Sequence, residues 1–177
     1  MKERFLSGSR IFIDTNVLLY SITEHPKYGV VCDRFLDKVK AGEFNGIISV
    51  IVLNELIHKL IIGEIAEKED LRLPQVISRI KRDPKVLEGL EAFEVVEEVE
   101  SNYNLTIVGV TREDFSKARM LMVKYFLLSN DALHLAIMVK EGISDIATYD
   151  SDFDKVENIK VWRPETLLVG TRSNVAC

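Results

Sequence analysis

A chain of 177 residues, 47% hydrophobic and 29% charged, fits one domain with a substantial buried core and excludes the disordered and fibrous classes. Its formal net charge of −5 argues against a basic coat protein for nucleic acid. It leaves room for a nuclease, whose metal-binding carboxylates add to the negative sum.

The N-terminal stretch MKERFLSGSR has no apolar run behind it, so no secretory signal is expected. Strand Ile11–Ile13 is the first short, continuous apolar run of the buried parallel type, and it ends on Asp14. A short helix is expected from about Asn16. A second starts near Pro26, runs to about Lys40 and stops at Ala41-Gly42. Gly46–Ser49 reads as the second strand, feeding a helix over about Val50 to Ile62. The longest apolar runs, such as Ile47–Leu53, are too short to span a bilayer, so no membrane association is expected.

From about Gly63 to Asn104 the chain is highly charged and reads as a helical excursion (about 64–104) of two helices without a strand. Leu87, Leu90, Val95, Val96 and Val99 supply an apolar stripe, and Glu88, Glu91, Glu94, Glu97, Glu98 and Glu100 an acidic flank. Leu105–Val110 is a third strand. Thr111 caps the next helix, with Asp114 at the capping-box position. Ser129 or Asn130 is expected to cap another, ended by Gly142. Asp145–Thr148 and Ile159–Trp162 are the last strands, the latter stopped by Pro164. Residues 1–170 form one domain in this reading, with a polar tail at 171–177. Cys32 and Cys177 make no disulfide framework and no Cys/His spacing suggests zinc, which implies a reducing, cytoplasmic setting.

Strands alternating with helices imply a three-layer α/β/α fold around a parallel sheet of four to five short strands. Ligand sites in such sheets lie at the carboxyl ends of the strands, where Asp14 and Asp150 fall. Asp14, Thr15 and Asn16 are all good helix caps, so either Asp14 caps the first helix or its carboxylate faces the crevice while Thr15 or Asn16 caps. Glu55 lies on the polar side of VLNELIHKL and could pair with Lys59 four residues on. Asp131 opens an apolar, and therefore buried, helix whose dipole favours an anion there. His134 follows on roughly the same face; His58 reads as a surface residue. Asp150, Asp152 and Asp154 alternate, but Lys155 and Val161 stand where a calcium loop needs Gly and Glu, so an EF-hand is excluded. Thr148 is available to hold this acidic turn through its hydroxyl. Gathered together, the acids would require a divalent cation to stay charged and compact.

The segments IFIDTN, VLNEL, NDALHLA and ATYDSDFD, in this order, resemble the PIN-domain (PilT N-terminus) ribonuclease family and its VapC-like toxin group. The resemblance covers nearly the whole chain apart from the charged excursion. It implies Asp14, Glu55, Asp131 and Asp150 as the catalytic acids, with Asp14, Asp131, Asp150 and Asp152 toward metal and Thr15, Asn16 and Thr148 in support. It further implies a Mg²⁺ or Mn²⁺ cofactor, single-stranded RNA as substrate, a homodimer and a cognate antitoxin. Phosphate contacts are expected from Arg79, Lys81, Arg82 and Lys85, or from Lys117, Arg119 and Lys124. Alternatives are a PIN nuclease of RNA processing or turnover, and a non-catalytic metal- or RNA-binding module. A haloacid-dehalogenase-like phosphatase wants a second Asp where Asn16 stands, and a receiver domain wants a late Lys that is not in place.

Overall fold

The computed structural model describes residues 8–169. In chain order it runs β1 (Arg10–Ile13), α1 (Thr15–Ile22), α2 (Gly29–Lys40), β2 (Asn45–Ser49) and α3 (Val50–Lys68). Then come α4 (Leu73–Arg82), a 3-10 turn at Pro84–Leu87, α5 (Glu91–Asn102), β3 (Thr106–Val108), α6 (Arg112–Tyr125) and α7 (Ser129–Glu141). The chain closes with β4 (Asp145–Ala147), a second 3-10 turn at Ser151–Lys155, β5 (Lys160–Trp162) and α8 (Pro164–Val169).

All five strands form one parallel sheet in the order β3-β2-β1-β4-β5. Ile11, Phe12 and Ile13 of the central strand are wholly buried, as a strand covered on both faces requires. The main helix contacts fall into two groups, as right-handed crossovers demand. Helices α1, α2, α3, α5 and α8 form one connected layer, while α6 packs on α7. The sequence direction reverses between β1, which leads to β2, and β4, which leads to β5. A crevice therefore opens between the carboxyl ends of β1 and β4.

Several expected boundaries shift. Helix α2 begins at Gly29 rather than Pro26, because the intervening residues form a turn in which Tyr28 and Gly29 donate their amides to the His25 carbonyl. Helix α3 continues through Gly63 to Lys68 instead of stopping near Ile62. Gly63 costs a helix only about 1 kcal/mol, and Ile65 beyond it is buried in a second small core with Val76, Leu90 and Ala92. That core, joining α3, α4 and α5, is what the charged excursion builds. Glu64 stitches it by accepting the Glu91 and Ala92 amides at 2.9 Å each, at the open N-terminus of α5. Strand β3 is confined to Thr106–Val108. The residue before α7 is Leu128, without a side-chain cap, so neither Ser129 nor Asn130 caps that helix. The Thr111–Asp114 capping box on α6 is present. Pro164 not only ends β5 but starts α8, as proline does at a first helical position. The expected tail at 171–177, including Cys177, lies outside the described residues.

Gly46 of β2 lies under three side chains. A Cβ there would stand 2.6 Å from Val39 Cγ1, 2.7 Å from Leu105 Cδ2 and 2.9 Å from Ile13 Cδ1. Gly46→Ala is expected to destabilise by about 1–3 kcal/mol through overpacking. The check is a lower urea midpoint with an unchanged m-value.

Candidate active site

Asp14 stands immediately after β1, in the crevice. It occupies the position before α1, but its side chain makes no cap bond. Its carboxylate instead points across the sheet: Oδ2 accepts the Thr148 hydroxyl at 2.5 Å and the Asn16 side-chain amide. Asn16 Nδ2 also donates to Thr148 Oγ1 at 3.0 Å, and Asn16 Oδ1 accepts the Tyr149 amide at 3.1 Å. Thr148 Oγ1 in turn accepts the Asp150 amide at 2.9 Å. These bonds tie the end of β1 to the end of β4. Neither Thr15 nor Asn16 caps α1 with its side chain, because both are committed to acidic neighbours.

Glu55 reaches the same place from α3. Its Oε2 accepts the Thr15 hydroxyl at 2.6 Å and lies 3.2 Å from His134 Nε2, while Oε1 accepts Asn130 Nδ2 at 2.5 Å. Burial pushes its carboxyl up, but the hydrogen bonds from His134, Thr15 and Asn130 outweigh it and leave the group at about 2. The Glu55–Lys59 pairing considered from sequence is thus replaced by three long-range partners. His58 is exposed, as expected.

The acids fall into two adjoining clusters. In the first, ligand atoms of Asp14, Glu55 and His134 lie within 4.8 Å of one another, and in the second those of Asp131, Asp150 and Asp152 do the same. Burial first, and then the charges of Asp150 and Asp14, push Asp131 up to about 6. Burial likewise raises Asp14, against the lowering effects of His134 and Thr148. Two carboxyls driven toward the neutral form beside one held ionised describe a pocket with excess negative charge. The donors are carboxylate oxygens with no thiolate among them, which suits a hard divalent cation. His134 Nε2 is committed to Glu55, and Nδ1 is buried without a hydrogen-bond partner, so the imidazole reads as a support for Glu55.

The acidic turn also separates its members. Asp150 Oδ1 accepts the Asp152 amide at 2.8 Å, starting the 3-10 turn, and Asp152 faces Lys155 at 3.2 Å. Asp154 turns away to Arg163, 3.1 Å distant, while Arg163 Nη1 donates to the Thr148 carbonyl at 2.6 Å. Arg163 is a site neighbour that no motif in the sequence singles out, and the roles of Asn130 on Glu55 and Lys155 on Asp152 are likewise set by the folded geometry. The basic cluster lies elsewhere. Helix α4 packs near Ile65, ten residues along α3 from Glu55, or roughly 15 Å of helix. Arg79 there is held by Glu69 at 2.8 Å and Asp83 at 3.2 Å. Lys81, Arg82 and Lys85 are exposed on the same segment. Of the second set, Lys117 and Arg119 are exposed on α6, and Lys124 contacts Glu157 at 3.2 Å.

The PIN domain family matches residues 11–159. Ribonuclease VapC2 of Methanocaldococcus jannaschii is 26% identical over 91% of this chain and 98% of its own. Ribonuclease VapC6 of the same organism is 30% identical over 88% and 98%. A solved toxin-antitoxin complex from Klebsiella pneumoniae contains a chain sharing the fold with a TM-score of 0.54 at 15% identity, covering 87% of this chain and 97% of that one. A match running from the strand that ends on Asp14 through the turn that carries Asp150 and Asp152 means that the chain belongs to the PIN domain family.

Proposed function

We propose that the protein is a divalent-metal-dependent ribonuclease, using Mg²⁺ or Mn²⁺ to hydrolyse phosphodiester bonds in single-stranded RNA in the cytoplasm. It acts as the toxin of a toxin–antitoxin pair. The observation that carries this reading is the convergence of five carboxylates from four separate segments on the β1–β4 crevice, two of them raised toward protonation. Relatives matched over nearly their full length bear the name ribonuclease, and a structural neighbour is a toxin–antitoxin complex. The latter supports a cognate antitoxin.

In this proposal Asp14, Asp131, Asp150 and Asp152 hold the cation. When bound, the ion supplies an activated water and neutralises charge developing on the phosphate. Glu55, ionised and anchored by three donors, presents a fixed acceptor that orients the attacking water. Thr15, Asn16 and Thr148 set the carboxylate directions, and Arg163 steadies the strand end through the Thr148 carbonyl.

The exposed face of α6 supports a homodimer. Phe115, Met120 and Val123, with Phe126 and Leu128 in the following corner, are 56%, 66%, 76%, 84% and 74% exposed. Apolar groups so concentrated on one side mark a protein contact. Under a two-fold axis, the same stripe covers itself on the partner.

Three measurements test these statements. Asp14→Asn is expected to lose Mn²⁺-dependent cleavage of mixed-sequence single-stranded RNA by about 100-fold or more, whereas Asp154→Asn, whose carboxylate faces Arg163, retains it. Equal cleavage by wild type and Asp14→Asn would sink the assignment. A wild type that binds RNA and metal without cleaving would favour the binding module.

The second is thermal melting of metal-free protein against pH. The raised Asp131 contributes stability that is full below its ordinary value of 3.8 and lost as pH rises through about 6. Glu55 is lowered from 4.5, and its contribution falls away only as pH drops toward about 2. Between pH 4.5 and 6 the metal-free protein therefore loses stability from Asp131, and Asp131→Asn flattens that slope. Added Mn²⁺ raises the melting point more above pH 6 than below 4.5, because the cation competes with protons.

The third is mass by light scattering. Met120→Lys with Val123→Glu is expected to convert a dimer to a monomer with unchanged circular dichroism. A wild-type monomer at micromolar concentration would overturn the dimer.

A further inference from the structure

Four aromatic rings pack together beside the carboxylates, and the cation-binding role does not use them. Tyr28 lies on Tyr149 with centroids 4.2 Å apart, Tyr20 on His25 at 4.5 Å, and His25 stacks on Tyr28 at 5.2 Å with 20° between planes. Tyr20 and Tyr28 are stacked at 5.4 Å, 25° from parallel. Tyr20, His25 and Tyr28 remain half-buried at the surface, and Tyr149 forms the floor, its hydroxyl buried. Lys27, exposed, holds its ammonium 4.8 Å from the Tyr28 centroid.

The cluster is joined directly to the metal-binding acids. Tyr149 immediately precedes Asp150, and its amide donates to Asn16, which holds Asp14. Tyr20 is raised above its ordinary value chiefly by burial, with the charges of Tyr28, Asp14 and Asp150 adding to it.

The corner carrying the rings is also closely packed. Glu24 takes a left-handed φ of 48°. A Cβ on Gly29 would stand 2.8 Å from the Glu24 carbonyl carbon and 3.0 Å from the Tyr20 oxygen, so α1 and α2 approach as only glycine permits. His25 Nδ1 accepts the amides of Lys27 at 3.2 Å and Tyr28 at 3.3 Å, which leaves its ring hydrogen on Nε2. Backbone held in a sparsely populated conformation beside a catalytic crevice is stored strain of the kind that pre-organises side chains. Aliphatic side chains would close this corner with more complete burial. Half-exposed rings held in stacked and tilted pairs instead offer π surface.

We propose that Tyr20, His25 and Tyr28, floored by Tyr149 and edged by Lys27, form a nucleobase-stacking subsite of the carboxylate pocket. This rests on the ribonuclease reading and deepens it. A base adjoining the scissile phosphate stacks on the exposed face of the cluster. His25 Nε2–H and Lys27 face the backbone of that nucleotide, and the metal side of the pocket takes the phosphate. Stacking accepts any base, so the subsite supplies affinity and register rather than sequence readout.

The test uses the full chain with Ca²⁺ in place of Mn²⁺, a hard cation that fills an all-oxygen site but activates its bound water far less, and a single-stranded RNA oligonucleotide of mixed sequence carrying 5-iodouracil. On irradiation the cross-link is expected within residues 20–28 or at Tyr149; a cross-link confined to other segments, such as the Phe126 corner, overturns the proposal. Tyr28→Leu is expected to bind the oligonucleotide roughly tenfold more weakly, and Tyr28→Phe to restore the affinity. An abasic site at the cross-linked position should weaken wild type by the same factor and leave Tyr28→Leu unaffected. Lys27→Ala should lower the salt dependence of binding by about one phosphate contact. Should Tyr28→Leu bind like wild type while wild-type RNA cleavage is intact, the subsite falls and the nuclease reading stands. Should wild type neither bind nor cleave, both fall together.

Discussion

Negative charge crowded into one crevice is the constraint around which the molecule is arranged. Two carboxylates whose oxygens lie within 4.8 Å of one another, as in each cluster, repel by roughly 3 kcal/mol or more at an effective dielectric of 20. Without compensation such a pocket would splay. The compensation is a set of donors aimed inward: Thr148 and Asn16 on Asp14, and Thr15, Asn130 and His134 on Glu55. The second cluster has fewer donors, and there the charge is relieved by raising Asp131. On the proposed reading, a cation binding between them would exchange that proton for a stronger partner, which would link metal affinity, local stability and pH through Asp131 and Asp14.

The same donors define the fold at its switch point. Asn16 bonds simultaneously to the residue after β1 and to the segment after β4, so the site and the central strand pairing are one structure. Loss of the Asp14 carboxylate would therefore remove both an acid of the crevice and an acceptor that holds two strand ends together. Arg163 reinforces the arrangement from outside by clamping the Thr148 carbonyl and Asp154. Farther off, the excursion carrying α4 and α5 stands on its own small core, which separates its basic residues from the chemistry. Its acidic flank is a solvated face, while an exposed apolar face lies on α6.

Much of this was legible along the chain. Apolar runs bounded by acids marked strands and their carboxyl ends, and Thr111 with Asp114 marked a helix start that the structure contains. Errors arose where a local signal met a distant partner. Helix α3 was expected to end near Ile62, yet Ile65 had a second core to enter. Asn130 looked like a cap, yet its amide is taken by Glu55, 75 residues away. Asp150, Asp152 and Asp154 are equivalent by spacing, and Lys155 and Arg163 distinguish the latter two.

The sequence by itself determined the element types, their alternation and the chemical kind of the site, because backbone sterics, periodic burial and the hardness of carboxylate oxygen are properties of residues and near neighbours. Only the tertiary structure decided which carboxylates share a pocket, which is held ionised and which is pushed toward protonation. Those properties rest on bonds such as Thr148 to Asp14 across 134 residues and His134 to Glu55 across 79. Such contacts exist only once the order of strands in the sheet has brought their carboxyl ends together, and local sterics carry no record of that order.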